Sequence, residues 1–229
     1  MNKSESTPAF VDRLPWQDID TVMLDMDGTL LDKYFDDYFW ETYLPKSYAR
    51  KHLLSEEEAE AELLGRYKSV ESTLQWTDLD YWSELLGIDI PRLKDEIDHL
   101  IDVHAHVVDF LQWIRSERKA LYLVTNAHPK TLEIKLKKTR IDHYFDKIIC
   151  SAEVGAAKEQ PAFWRGLESL LDFSKERTLF ADDTEKVLAA ARDYGIGHLV
   201  HIARPSSRIP LRYCDDYLSV ADFSELLPG

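Results

Sequence analysis

The stretch Thr21-Val22-Met23-Leu24-Asp25-Met26-Asp27-Gly28-Thr29 joins a short apolar run to a turn that carries two carboxylates. The apolar and β-forming residues ahead of Asp25 indicate a strand buried on both faces, as strands of parallel sheets usually are. Side chains alternate along a strand, so Asp25 and Asp27 are expected to point the same way, toward the crevice at its carboxyl end. Gly28 permits a sharp turn directly afterwards. The stretch therefore predicts an acidic site at one edge of an α/β sheet.

Other short apolar runs recur along the chain, and amphipathic stretches separate them. The predicted strands are Thr21–Asp25, Ala120–Thr125, Lys147–Cys150, Thr178–Ala181 and His198–Ile202. Two helical faces are marked by Val108, Leu111 and Ile114 and by Val187, Ala191 and Tyr194. Pro129 and Pro161 suit the first turns of two further helices, and Gly195 suits a helix end. Strand alternating with helix predicts the α/β class, with a doubly wound parallel sheet.

One segment, residues 34–101, interrupts this alternation, because it contains helical patterns and no convincing strand. Ser55 followed by Glu58 forms a capping box, and one stripe then continues through Ala59, Leu63, Tyr67 and Val70. We therefore predict two domains. Residues 1–33 and 102–229 form the core, and residues 34–101 form a helical cap inserted after the first acidic motif.

Two carboxylates as close as Asp25 and Asp27 repel each other unless a cation lies between them or one is protonated. Phosphoryl transfer can use both arrangements. Asp25, held on Mg²⁺, would be the nucleophile that forms an aspartyl-phosphate. Asp27 would protonate the leaving oxygen and then take a proton from the hydrolytic water. An acidic turn after a strand is the plain structural alternative.

Polar residues also follow three of the other predicted strands. Thr125 and Asn126 could hold phosphate oxygens at a helix start, although a simple helix cap is the more frequent reason for such a pair. Lys158 could neutralise a transferring phosphoryl group, and Asp182 with Asp183 suits a hard cation such as Mg²⁺. Each is weak alone. Their shared position at the carboxyl ends of parallel strands is what favours a single site.

The composition limits the partners. A formal net charge of −14 and a pI of about 5.0 argue against nucleic acid or an anionic membrane as partner. Cys150 and Cys214 are the only cysteines, which fits a reducing compartment. The first 14 residues show no signal peptide, and no apolar run is long enough to span a membrane. We expect a cytoplasmic protein.

The order Asp-x-Asp-Gly-Thr, Thr-Asn, Lys and Asp-Asp resembles the four motifs of the haloacid dehalogenase (HAD) superfamily, from about Thr21 to Ile202. Residues 34–101 lie where that superfamily places its helical C1 cap. Within it, the whole chain is similar to the bacterial GMP/IMP 5′-nucleotidases. The segments that carry this likeness are Trp16–Val22, Leu24–Asp32, Phe39-Trp40, Asp80–Glu84, Thr125–Pro129 and Glu176–Phe180.

The resemblance implies a HAD-like Rossmannoid core. It also implies Asp25 as nucleophile, Asp27 as acid/base, and Thr125, Asn126 and Lys158 around the phosphate. The implied cofactor is Mg²⁺, with Mn²⁺ as substitute, held by Asp25, Asp27, Asp183 and Asp182. The sequence departs from the pattern at two positions. The proline expected after the lysine is Glu159, and a carboxylate often found four residues past the metal aspartate is Val187.

The expected substrate is a small phosphorylated molecule, a purine nucleoside monophosphate such as GMP or IMP. Tyr34, Phe35, Tyr38 and His128 are the candidates for contact with it. Aromatic residues are dense in the insert, where packing between cap helices is the alternative role for most of them. A sugar-phosphate phosphatase or phosphomutase would need the same core residues, and a catalytically silent ligand-binding module on this fold is the alternative of a different class. The oligomeric state stays open.

Overall fold

A computed structural model describes residues 14–71 and 73–228. Its centre is a six-stranded sheet in the order β3-β2-β1-β4-β5-β6, and every neighbouring pair is parallel. The strands are β1 (Thr21–Leu24), β2 (Ala120–Thr125), β3 (Lys147–Cys150), β4 (Thr178–Asp182), β5 (His198–Ile202) and β6 (Leu218–Val220). The prediction of a parallel α/β sheet is confirmed.

All five predicted strands are present, with bounds that differ by one residue at the ends of β1 and β4. Strand β6 was not predicted, since Leu218-Ser219-Val220 is short and has a polar residue in the middle. Alternate residues of β1 enter two separate apolar cores. Val22 and Leu24 join one and Met23 the other, so the sheet is covered on both faces.

Within residues 34–101, between β1 and β2, helices follow one another. They are α1 (Tyr34–Tyr38), α2 (Leu44–His52), α3 (Glu56–Val70), α4 (Leu74–Thr77), α5 (Leu79–Leu86) and α6 (Ile90–Glu96), with a π-helical turn at Phe39–Tyr43 and a 3₁₀ turn at Asp98–Leu100. The capping box of α3 is present: Glu58 N donates to Ser55 Oγ at 3.2 Å, and Ser55 N donates to Glu58 Oε2 at 2.9 Å. The division into core and cap stays a prediction, and residues 1–13 lie outside the described part of the chain.

The remaining helices flank the sheet. They are α7 (Val107–Ser116), α8 (Pro129–Thr139), α9 (Ser151–Val154), α10 (Pro161–Leu170) and α11 (Glu185–Tyr194), with 3₁₀ turns at Trp16–Asp18, Asp142–Tyr144, Lys175–Arg177 and Phe223–Leu226. Pro129 and Pro161 open their helices and Gly195 ends α11 at φ +104°, as predicted. Within residues 14–71 and 73–228, no helix has both the length and the apolar character needed to cross a membrane.

One predicted helical face needs correction. Val108 is exposed, whereas the buried side of α7 consists of Val107, Phe110, Leu111 and Ile114. Val107, Leu111 and Ile114 follow the i, i+4, i+7 spacing of one helix face, which places the neighbouring Val108 toward solvent.

Candidate active site

The parallel register places the motif residues at one edge of the sheet. Leu24 pairs with Leu123 of β2 and with Ala181 of β4, and Asp25 N donates to Ala181 O at 3.0 Å. The carboxyl ends of β2, β1 and β4 therefore lie next to one another at the same edge of the sheet. They border a cavity of about 820 Å³ between the sheet edge and the helices of the insert. Among the predicted site residues, it is lined by Asp25, Asp27, Thr125, Asn126, His128, Lys158, Asp182 and Asp183.

Lys158 connects two of the carboxylates. Its Nζ lies 2.5 Å from Asp25 Oδ1 and 2.7 Å from Asp182 Oδ2, and its side chain is 3 % exposed. Burial alone would lower the pKa of this ammonium group. The adjacent Asp182 and Asp25 carboxylates overcome that effect and raise the Lys158 pKa above its usual value, so Lys158 stays charged at neutral pH.

One ammonium group does not balance the negative charge of this cluster. Burial, helped by the neighbouring Asp182 and Asp27 carboxylates, raises the pKa of Asp25 to about 7 against the opposing attraction of Lys158. Burial likewise raises the pKa of Asp182 and of Asp183 to about 6, with Lys158 and Lys33 respectively opposing. Carboxyl groups that hold protons this strongly stand in an environment short of positive charge.

The donor set fits a hard divalent cation. Asp25, Asp182 and Asp183 each offer a carboxylate oxygen, and these atoms lie within 4.8 Å of one another. All-oxygen carboxylate sites suit Mg²⁺ or Mn²⁺. Gly28 packs close to Asp183, since a methyl carbon on Gly28 would lie 2.7 Å from Asp183 Oδ2. The backbone of the turn after β1 thus packs directly against the Asp183 carboxylate, with no room for a side chain at position 28.

Asn126 holds the loop that carries Lys158. Its Oδ1 accepts from Lys158 N at 3.0 Å, and its Nδ2 donates to Glu159 Oε2 at 3.0 Å. Both ends of the side-chain amide are therefore engaged in joining the end of β2 to this loop. Glu159, which departs from the family pattern, has a structural role as the second of these partners. Thr125 Oγ1 accepts from Ala127 N at 3.0 Å, and this contact shapes the turn after β2.

Ionisable side chains that were not predicted from the sequence lie buried beside Asp27. Lys135 Nζ lies 2.5 Å from Asp27 Oδ1 and also contacts Asp36 Oδ2, while Lys94 Nζ lies 2.7 Å from Asp36 Oδ1. Burial raises the pKa of Asp27 although Lys135 opposes it. Burial also acts to raise the pKa of Asp36, but Lys135 and Lys94 together hold it well below its usual value. The i, i+4 pair Thr131 and Lys135 marks one face of α8, and that spacing was the available signal.

The four candidates for substrate contact separate into two groups. His128 lines the cavity, and its Nε2 lies 3.4 Å from Asp78 Oδ1. Tyr34, Phe35 and Tyr38 do not line the cavity. The ring of Phe35 is 1 % exposed and lies against the ammonium groups of Lys94 and Lys135. The rings of Tyr34 and Tyr38 pack together, with their centroids 5.9 Å apart. Helix α1 turns Phe35 into the core, so this ring is closed to a ligand.

Other rings of the insert face the cavity. Trp40, Tyr67 and Trp76 line it and are each half-buried. Trp40 and Trp76 stack with centroids 5.7 Å apart at 29°, and Trp82 beneath them is fully buried and donates from Nε1 to Trp76 O at 2.8 Å. Some aromatic residues of the insert thus hold its helices together, and others form an apolar wall of the cavity, while contact of any ring with a substrate stays a prediction.

The chain belongs to the haloacid dehalogenase-like hydrolases, whose family model matches residues 19–195. It is 37 % identical to the GMP/IMP nucleotidase YrfG of Escherichia coli (strain K12) over 94 % of this chain and 97 % of that protein. It is also 25 % identical to the pyrophosphatase PpaX of Bacillus thuringiensis (strain Al Hakam), over 77 % of this chain and 80 % of that protein. The predicted resemblance and the predicted enzyme class, a phosphoric monoester hydrolase, are confirmed.

Solved structures agree on the fold. A HAD phosphatase from Thermococcus onnurineus superposes with a TM-score of 0.74 at 25 % identity, covering 91 % of this chain and 96 % of that one. A putative β-phosphoglucomutase from Thermotoga maritima superposes with a TM-score of 0.65 at 19 % identity, with the same coverage. Both are consistent with a HAD-like Rossmannoid core.

Proposed function

We propose that the protein is a Mg²⁺-dependent phosphatase of small phosphomonoesters that acts through an aspartyl-phosphate on Asp25. The observation that carries this proposal is the position of Lys158 between Asp25 and Asp182, with Asp183 alongside, at the floor of the cavity. A carboxylate nucleophile, a fixed cation and a set of oxygen donors for a metal are the parts that phosphoryl transfer on aspartate needs. The volume of about 820 Å³ suits a small-molecule ligand.

In the first step, a carboxylate oxygen of Asp25 attacks phosphorus while the ester P–O bond breaks. Asp27 gives a proton to the leaving oxygen, and burial, which raises the pKa of this carboxyl group against the attraction of Lys135, suits it to that role. In the second step, Asp27 takes a proton from the water that attacks the aspartyl-phosphate, and inorganic phosphate leaves. Lys158 opposes the effect of burial on the Asp25 pKa, which favours the ionised nucleophile, and it offsets charge on the transferring phosphoryl group.

Asp25, Asp182 and Asp183 would hold the Mg²⁺ ion, with Mn²⁺ as substitute, and Asp27 would add its carbonyl oxygen. When bound, the ion supplies positive charge to the phosphoryl oxygens and lowers the pKa of the surrounding carboxyl groups. The backbone and hydroxyl of Thr125, at the start of the turn after β2, are expected to contact the phosphate.

We further propose a purine nucleoside monophosphate, GMP or IMP, as the substrate. The likeness to the Escherichia coli nucleotidase over nearly the whole chain supports this choice. The wall formed by Trp40, Tyr67 and Trp76 offers faces on which a purine can stack. Exposed Glu60 and Glu71 border the same cavity, and carboxylates there can accept hydrogen bonds from the N–H edge of a 6-oxopurine. We place this activity in the cytoplasm, consistent with two free cysteines.

Phosphate release from GMP, IMP, AMP and hexose phosphates, with Mg²⁺ and with chelator, tests the proposal. We expect a preference for GMP and IMP that is lost with chelator and in Asp25→Asn, and kept in Asp109→Asn, a matched change on the exposed face of α7. Trp76→Ala should raise KM for GMP and leave KM for p-nitrophenyl phosphate unchanged. Release from hexose phosphates alone would reject the nucleotide assignment, and full activity of Asp25→Asn would reject the mechanism.

A further inference from the structure

Asp27 belongs to a row of four alternating acidic and basic side chains that lies outside the carboxylate cluster of Asp25, Asp182 and Asp183. In order these are Asp27, Lys135, Asp36 and Lys94, joined by the contacts described above. The side chains of Lys135 and Lys94 are 2 % and 1 % exposed. Lysine is seldom buried so completely, and a buried ion pair is a weak source of stability because desolvation offsets its attraction. This arrangement therefore suggests a role beyond holding the fold together.

The row of side chains also crosses from one part of the molecule to another. Lys135 lies on α8, which follows β2, whereas Asp36 and Lys94 lie on α1 and α6 between β1 and β2. Lys94 Nζ lies 4.5 Å from the ring centroid of Phe39 and 4.9 Å from that of Phe35, and such cation–aromatic contacts hold it in place. The position of Lys135 thus depends on where α1 and α6 pack.

Lys135 contacts only one of the two oxygens of the Asp27 carboxyl group, Oδ1. Holding Oδ1 restricts rotation of that carboxyl group, so the other oxygen can carry a proton in a constant direction. An acid must lie within hydrogen-bond reach of the oxygen that it protonates, and small displacements are costly in rate. We propose that Lys135 and Asp36 are positioning residues for the acid/base Asp27, and that they couple its placement to the packing of α1 and α6.

This inference rests on the proposed function, since it assigns the two residues to the protonation of the leaving group. An alkoxide such as the ribose oxygen of GMP needs that proton to leave, whereas p-nitrophenolate is a stable anion that leaves without it. The ratio of kcat/KM for GMP to kcat/KM for p-nitrophenyl phosphate therefore reports how well Asp27 is placed in the first chemical step. A general loss of folded enzyme lowers both values together and leaves the ratio unchanged.

The experiment measures this ratio with Mg²⁺ in the wild-type protein and in Asp36→Asn, Lys135→Met and Lys135→Arg. Lys137→Met, an exposed position on the same helix, is the matched control. General acid catalysis contributes about 10²–10⁴-fold, so partial misplacement in Asp36→Asn should lower the ratio about tenfold or more. Lys135→Met should lower it further and Lys135→Arg should recover part of it. Asp36→Asn keeps the side-chain shape, so it reports even where Lys135→Met does not fold.

A parallel fall for both esters in Asp36→Asn and Lys135→Arg, or an unchanged ratio in folded Asp36→Asn, would overturn the inference and leave the proposed function standing. A wild-type protein that hydrolyses neither ester with Mg²⁺ would overturn both. A loss of the ratio in Lys137→Met comparable to that in Asp36→Asn would also overturn it, because the effect would then belong to helix α8 as a whole.

Discussion

Replacement of Gly28 by alanine separates backbone strain from steric pressure on the candidate metal cluster. Gly28 has φ +86°, and an alanine in the left-handed region costs roughly 1–2 kcal/mol. Its methyl carbon would lie 2.7 Å from Asp183 Oδ2 and 2.9 Å from Cβ of Pro205. Both distances are below ordinary contact, and overpacking of this kind adds about 1–3 kcal/mol. We therefore expect Gly28→Ala to destabilise the protein by roughly 2–5 kcal/mol in total.

The matched control is Gly195→Ala at the end of α11. Gly195 also has a positive φ, +104°, but the nearest atom to its added methyl carbon is Lys175 Cδ at 3.8 Å, an ordinary contact. This variant should therefore show the backbone cost of roughly 1–2 kcal/mol alone. It lies away from the cavity lining, so we expect its activity and its affinity for Mg²⁺ to be unchanged.

The assay is equilibrium urea unfolding of both variants without metal, followed by Mg²⁺ titration of phosphatase activity. Gly28→Ala can relieve its contact only by displacing Asp183 or Pro205, so its half-saturating Mg²⁺ concentration should rise as well. Equal losses of unfolding free energy in the two variants, together with unchanged Mg²⁺ dependence in Gly28→Ala, would refute this reasoning.

Two further changes address the charges of the cluster. Lys158→Met should lower kcat by about a hundredfold or more, as loss of a charge-stabilising group does, in single-turnover assays at saturating Mg²⁺. The metal-free protein should lose stability as pH rises from the unfolded pKa near 3.8 to the folded pKa values of these carboxyl groups. The folded pKa is about 7 for Asp25 and about 6 for Asp182 and Asp183. In that range the folded protein keeps protons that the unfolded chain has released. Mg²⁺ competes with those protons, so it should raise Tm more at about pH 8 than at about pH 5 in calorimetry.

Activity of Lys158→Met within about threefold of wild type would remove this lysine from the charge stabilisation proposed above. Lys147→Met, an exposed lysine on β3, is the control for that change. An equal Mg²⁺-induced increase in Tm at both pH values would mean that the ion does not bind the carboxyl groups whose pKa values burial raises.

The positions of the motif residues at one site could be read from the sequence because the reasoning needed only local patterns. A run that is apolar at nearly every position predicts a strand buried on both faces, and parallel strands end at one edge of their sheet. Asp25, Thr125 and Asp182 each stand at the end of such a run, so their meeting follows without knowledge of the distances. Lys158 was harder, since its loop follows α9, and its contact with Asp25 spans 133 positions.

The contacts beside Asp27 required the tertiary structure. Helical periodicity places Lys135 on the same face of α8 as Thr131, but Asp27 and Asp36 reach it across 108 and 99 positions of the chain. A buried lysine also opposes the usual hydrophobic pattern, which assigns lysine to the surface. Tyr34, Phe35 and Tyr38 were predicted as ring contacts for a ligand because they follow the acidic turn directly in the sequence. Trp40 and Trp76 line the cavity instead, and that follows from helix packing, which nearness in sequence does not reveal.

The parallel sheet, the edge at which the site forms and the residue types for phosphoryl transfer could thus be predicted from the amino-acid sequence. These features follow from short-range periodicity and from chain geometry common to all parallel sheets. Which rings face the cavity, and which buried lysine contacts Asp27, could be seen only in the folded protein. Both depend on how the helices of residues 34–101 pack on α8, and that packing is set by shape and charge matching between segments far apart in the chain.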